Sequence, residues 1–200
     1  MFDKAPLNRS TSKISKNSSK TKRVRKKPYA LNKNKYLLEP EVWKLEKLIK
    51  SSMKDDRRNA ILLDLALNTG ARAMEILDLM REDLNIYDET IFIRGIKGSN
   101  DRELPIRKNL FQALNELTMQ YQPHHRLFPI GYHRLRQIWD WYRPTPKKFH
   151  SLRHTFAIRL FRKTKDLRLV QVALGHRNIT NTMIYADYVY SQDELKKLIL

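Results

Sequence analysis

LGHRNITNTMIYADY, residues 174–188, sets His176 nine residues ahead of Tyr185. Upstream, HSLRH at 150–154 supplies His150, Arg153 and His154, and TGARAMEIL at 69–77 supplies Arg72 and Glu75. Two arginines, several histidines and a late tyrosine, spread over more than half the chain, fit a cage for a DNA phosphate with a phenol nucleophile beside it. Moving a phosphodiester between oxygens builds negative charge on the non-bridging oxygens, and fixed cations must meet it. Arginine suits the task because its planar fork holds two oxygens and keeps its charge. A phenol with a pKa of about 10 can both attack phosphorus and later be expelled. The ester it forms retains the energy of the broken bond, so rejoining needs no nucleotide. On a helix, Arg153 shares a face with His150, three residues earlier. Arg72 follows the Thr69-Gly70 break, which could aim it into a cleft. Periodicity alone does not separate Tyr185 from Tyr188 and Tyr190.

The charge balance points the same way. Forty Lys/Arg against 21 Asp/Glu give a net charge of +19 over 200 residues, which marks a polyanionic partner. Residues 1–35 carry twelve Lys/Arg against one Asp, so +11 lies there and +8 on the remainder. This first stretch is rich in Lys, Ser and Asn and poor in large apolar groups, and is expected to be a disordered basic arm. Its densest cluster, Arg23, Arg25, Lys26 and Lys27, would follow DNA phosphates without reading sequence. The chain has no cysteine, which removes disulfides and thiolate zinc sites and fits a reducing compartment. No apolar run reaches the roughly 20 residues of a membrane helix. No membrane contact is expected, and a cytoplasmic, nucleoid-associated protein is.

Order is expected from Tyr36. Pro40 and the spacing Val42, Leu45, Leu48, Ile49 predict a helix over 39–53. Asp55-Asp56 starts a second, ended by Gly70. Arg72–Met80 reads as a third. Leu84–Tyr87, Thr90–Arg94 and Arg102–Ile106 read as short strands, with Gly95, Gly98, Ser99 and Asn100 in the last turn. Helices are predicted over 108–121, 132–142, 151–163, 166–174 and 179–188, with a final amphipathic one from Gln192 to Leu200. The fold class is therefore mainly α with a small three-stranded antiparallel β-sheet, as one domain over 36–200. Five glycines, and no G-x-x-x-x-G-K or G-x-G-x-x-G run, argue against a nucleotide cofactor. His150 and His154 have the i, i+4 spacing of metal ligands on a helix face. No carboxylate stands between them as in H-E-x-x-H, and Arg153 would repel a cation, so no metal is expected.

TGARAMEILDL, HSLRHTFAIRL and LGHRNITNTMIY together resemble the three catalytic boxes of the tyrosine recombinases, the phage-integrase family, in the right order over residues 36–190. RGIKGSNDRELPI, residues 94–106, is similar to the family's G-K-G-x-x-x-R-x-x-P hairpin, with Ile96 between Gly95 and Lys97. The resemblance implies roles. Arg72, His150 and Arg153 would bind the scissile phosphate, and His176 would hydrogen-bond it and support the transition state. Tyr185 would attack to give a 3′-phosphotyrosyl bond and a free 5′-hydroxyl. Lys97 would be the general acid for the leaving oxygen, and Glu75 would orient its neighbours. The family uses no metal and no high-energy cofactor. Its members pair two sites on double-stranded DNA in a synaptic homo-tetramer, and the C-terminal helix docks on a neighbouring subunit.

Many members carry a helical DNA-clamping domain ahead of the catalytic one, where this sequence has only a basic arm. That layout is closer to the minimal group that includes the fimbrial phase-variation invertases. The arm, or an accessory DNA-bending protein, would then supply the missing grip. The leading expectation is a site-specific recombinase: integrase, resolvase or invertase. A non-cleaving DNA-binding regulator on the same fold is the alternative, and a type IB-like topoisomerase is a third reading.

Overall fold

The chain, as a computed structural model, is described over residues 31–96, 98–186 and 192–200, with backbone only for 192–195. Three helices open it: α1 (Glu39–Ser52), α2 (Arg57–Thr69) and the short α3 (Ala73–Leu77). Next comes an antiparallel sheet of β1 (Leu84–Asn85), β2 (Thr90–Ile93) and β3 (Arg102–Pro105), in that order. Then follow α4 (Lys108–Thr118), α5 (Tyr132–Tyr142), α6 (Ser151–Thr164), α7 (Leu167–Leu174), α8 (Thr180–Met183) and α9 (Gln192–Ile199). No helix among the described residues is long and apolar enough to cross a membrane.

The sequence explains where these elements start and stop. In α1, Pro40 occupies the first turn and the Glu41 carboxylate accepts the Leu38 N–H at 2.7 Å, while Val42, Leu45 and Ile49 turn inward. Helix α2 buries ten of its thirteen residues, so it is the central rod rather than a surface helix. It packs on α1, α4 and α6. Gly70 ends it in the left-handed region at φ +60, where a Cβ would come within 2.5 Å of the Phe156 ring.

Several elements are shorter than the sequence predicts, α4 among them, which stops at Thr118 rather than at 121. Helix α3 stops at Leu77 rather than Met80 because the following backbone is used elsewhere. The Leu79 carbonyl accepts from Leu127 N–H at 2.9 Å, and Met80 N–H donates to Asp83 Oδ2 at 2.8 Å. Strand β1 ends at Asn85, whose side-chain oxygen accepts the N–H groups of Tyr87 and Asp88 at 3.0 and 3.3 Å and so turns the chain. Helix α8 is one turn within the predicted 179–188; Tyr185 follows it, and residues 187–190 lie outside the described part.

Helix α6 divides the core. On one side Leu152 joins a large cluster formed by α1 to α5 and the sheet, with Ile91 and Ile93 facing in from β2. On the other, Ala157, Ile158 and Phe161 pack with Val170, Leu174, Tyr185, Tyr36 and Leu31. Packing thus reaches five residues ahead of Tyr36. Leu37 N–H donates to Thr155 Oγ1 at 2.8 Å, which fastens this leading segment to α6.

Candidate active site

The break between α2 and α3 creates the first half of the site. Arg72 is the residue that caps α3, and its N–H donates to Glu75 Oε2 at 2.9 Å. Its Nη1 donates to Glu75 Oε1 and to Ser99 Oγ, each at 2.8 Å, with the side chain 35 % exposed. Glu75 is buried and also accepts from Arg102 Nη2 at 2.7 Å. Burial alone would raise its pKa. The hydrogen bond and charge of Arg102, the Arg72 N–H and the Arg153 charge outweigh that and hold it down at about 2. Glu75 is therefore an ionised anchor for arginines on three elements.

Arg153, on the buried face of α6, is the second half. Its Nη1 donates to the Gly70 carbonyl at 2.8 Å and its Nη2 to the Leu174 carbonyl at 2.7 Å, and Glu75 Oε2 lies 4.0 Å away. Both carbonyls sit at helix C-termini, where orphan oxygens carry partial negative charge. One guanidinium thereby joins the ends of α2 and α7. Burial, then the charge of Arg72, lowers its pKa to about 9, so it stays a cation at neutral pH.

The hairpin between β2 and β3 is stitched to the turn after α7. Ser99 Oγ donates to the Gly175 carbonyl at 2.9 Å, Asn100 N–H donates to the same oxygen at 2.8 Å, and Ser99 bridges His176 in antiparallel fashion. Gly175 has φ +68, and a Cβ there would lie 2.6 Å from the Asn100 carbonyl, so this approach requires glycine. Lys97 itself lies outside the described residues, as do Arg23, Arg25, Lys26, Lys27, Tyr188 and Tyr190.

The histidines meet Arg153 and Tyr185 from different sides. His176 Nδ1 is bonded to Thr182 Oγ1 at 2.9 Å. Its pKa is lowered to about 3 by burial and by Arg153, Arg72 and Arg102. His150 precedes α6 and opens onto solvent on one side; partial loss of water, then Arg153 and Arg72, lowers its pKa to about 4. It lines a groove of about 550 Å³ together with Arg72, Ile96, Tyr132, Arg136 and Arg143. Tyr185 is 1 % exposed, and its hydroxyl lies 2.9 Å from His154 Nδ1.

Of the expected site residues, Arg72, Glu75, Arg153, His150, His176 and Tyr185 thus fall around one centre. Three further residues belong to it. Arg102 stands in the quoted hairpin run and carried a visible signal there. Ser99 looked like one more turn residue. His154 was visible only as half of a histidine pair.

A helical domain with one small sheet, in which arginines converge beside a late tyrosine, has the architecture of tyrosine recombinase catalytic domains. Residues 35–192 match the family described as the phage integrase family, and the chain belongs to it. Tyrosine recombinase XerA of Pyrococcus horikoshii is 30% identical over 164 residues, covering 76% of this chain and 56% of that protein. Tyrosine recombinase XerC of Bacillus licheniformis is 29% identical over 186 residues, covering 82% of this chain and 59% of the other. The chain therefore spans a little over half the length of these relatives. Among solved structures, XerH site-specific recombinase bound to difH substrate in a pre-cleavage complex superposes with a TM-score of 0.63 at 26% identity, covering 85% of this chain and 54% of that one. The catalytic domain of bacteriophage HP1 integrase gives 0.60 at 24%, covering 82% of this chain and 94% of that one, a likeness of fold.

Proposed function

We propose that this chain is a site-specific DNA recombinase that cleaves and rejoins double-stranded DNA through a 3′-phosphotyrosyl intermediate. The observation that carries the reading is Arg153, buried between the carbonyls of Gly70 and Leu174 and sharing Glu75 with the groove-facing Arg72. Two arginines clamped on one carboxylate beside a tyrosine are preorganised for a phosphate's developing charge. Arg72, His150 and Arg153 bind the scissile phosphate, His176 hydrogen-bonds it, and Tyr185 attacks. Lys97 protonates the leaving 5′-oxygen, with its hairpin held beside His176 by Ser99 and Asn100. Glu75 sets the arginines and touches no phosphate. Arg23, Arg25, Lys26 and Lys27 follow the DNA backbone. Active copies assemble as a synaptic homo-tetramer, helped by an accessory DNA-bending protein, and α9 with its exposed Leu198 and Ile199 docks on a neighbour.

The test is incubation with a pool of nicked suicide duplexes that includes a dif-type site, followed by a denaturing gel. A covalent adduct that is lost in Tyr185→Phe is expected. DNA binding by wild type without any adduct would favour a non-cleaving regulator instead. A plasmid bearing two sites then separates recombination from the simple relaxation of a topoisomerase.

A further inference from the structure

We propose that His154 is the general base of the cleavage step, its Nδ1 taking the phenol proton of Tyr185 as the oxygen attacks phosphorus. This rests on the recombinase reading and adds to it a residue with no part in the phosphate cage. His154 Nδ1 and Tyr185 Oη are 2.9 Å apart, with both residues buried and their rings 5.9 Å between centroids. That is hydrogen-bond reach of the very proton that must leave. The need is real, since a phenol with a pKa of about 10 is ionised in only about one molecule in a thousand at pH 7.

The other histidines are placed for other work. His176 turns its Nδ1 to Thr182 at 2.9 Å, and His150 lines the groove beside Arg72. His154 also follows Arg153 directly on α6. The base and the buried phosphate ligand therefore share one rigid element.

With the phenol donating, Nδ1 is the accepting nitrogen and Nε2 carries the ring proton. Burial comes first, then the charges of His150, Arg153, Lys35 and His176, in holding the pKa of His154 to about 3, so the ring is neutral and able to accept. The His150 ring stands 4.8 Å away and perpendicular to it. These neighbours are all cationic or become so on protonation. A phosphodiester anion docked between Arg72 and Arg153 would offset them and raise the basicity of His154. The base would then be strengthened by the substrate it serves. In the step, the Tyr185 O–H bond breaks and its proton moves to Nδ1. The Oη–P bond forms, the P–O5′ bond breaks, and the 5′-oxygen takes its proton from the separate acid, Lys97. In rejoining, the protonated His154 returns its proton to the departing phenolate.

His154→Asn is the test, because the amide oxygen falls near the Nδ1 position and can still accept from the phenol but takes up no proton. Its melting temperature and DNA affinity are expected to match wild type, while cleavage slows by roughly 10²–10⁴-fold. A substrate with sulfur at the bridging 5′ position needs no acid, since a thiolate leaves unprotonated. It should restore Lys97→Ala and leave His154→Asn slow. Raising the pH toward the phenol range should speed His154→Asn, and the fall in wild-type rate at low pH should vanish in it. If Asn lowers the melting temperature, the bridging-sulfur and pH comparisons are made at a temperature where the variant is fully folded. Wild-type cleavage by a folded variant, or rescue by the bridging sulfur, would overturn the assignment while the recombinase reading stood. No adduct from wild type would overturn both.

Discussion

At the scale of single residues, Glu75 explains how three arginines can be gathered in a small space. Its carboxylate is met by Arg72, Arg102 and, more distantly, Arg153, which holds its pKa at about 2. The sign follows from a depressed carboxyl: the stabilisation is fully present above the unfolded value of about 4.3 and is lost as pH falls through about 2. Glu75→Gln should therefore flatten the acid limb of stability between those values, by on the order of 2 kcal/mol once partial solvation is allowed for. Urea-melting midpoints across a pH series would show it. Arg153→Lys should bind DNA almost as wild type yet lose roughly 10²–10³-fold in cleavage, because an ammonium cannot keep both carbonyls and still present a fork to phosphate. Suicide-substrate kinetics beside a binding titration read both effects, and equal losses in the two would argue against a transition-state role. Arg72, Arg153, His176 and Tyr185 could be picked out before any coordinates because their spacing survives in the linear chain. Glu75 stood out as a candidate orienting acid and Arg102 as part of the hairpin run, but their pairing was not legible. Nothing in the order of residues says that a hairpin arginine 27 positions away will share a carboxylate.

Among the elements, the predicted helices and the three-stranded sheet all occur, and the discrepancies lie at their ends. Periodicity marks which face is buried, whereas the stopping point depends on what else claims the backbone. Helix α3 ends early because Leu127 and Asp83 take the groups that would have continued it. No pattern in Arg72–Met80 could announce a partner nearly fifty residues downstream. The junction of the hairpin with the turn after α7 was equally invisible, since Ser99 read as an ordinary turn residue and Gly175 only as part of the LGH run. Gly175→Ala tests that junction. The strained φ of +68 and the contact at 2.6 Å with the Asn100 carbonyl should cost about 1–3 kcal/mol and push the hairpin away. Cleavage should fall more than DNA affinity does, because the hairpin carries Lys97, the proposed acid, while the arginine cage is left standing. A parallel loss of both would place the junction in binding instead.

For the molecule as a whole, three neutral histidines packed among arginines make the fold sensitive to acid. His150, His154 and His176 have pKa values lowered to about 4, 3 and 3 by burial and by neighbouring positive charge. A histidine depressed in the folded state contributes stability that is full above its unfolded value of about 6.5 and is lost as pH falls toward the folded value. Thermal melting should thus decline from pH 6.5 to 4, and less steeply with DNA bound, since phosphate offsets the same positive charge. Removing residues 1–30 takes away ten Lys/Arg and one Asp. It should weaken DNA binding and reduce the slope of log affinity against log salt; an unchanged slope would mean that this stretch does not meet phosphate.

Two stretches of the sequence about 150 residues apart meet around one phenol. Leu31 and Tyr36 form part of the wall against the Tyr185 ring, and Leu37 hangs from Thr155, the neighbour of His154 on α6. The described chain thus enters the fold beside the same ring that the segment after α8 delivers. A change in how Leu31, Tyr36 or Leu37 packs would therefore be a change in the compartment that holds the Tyr185 ring.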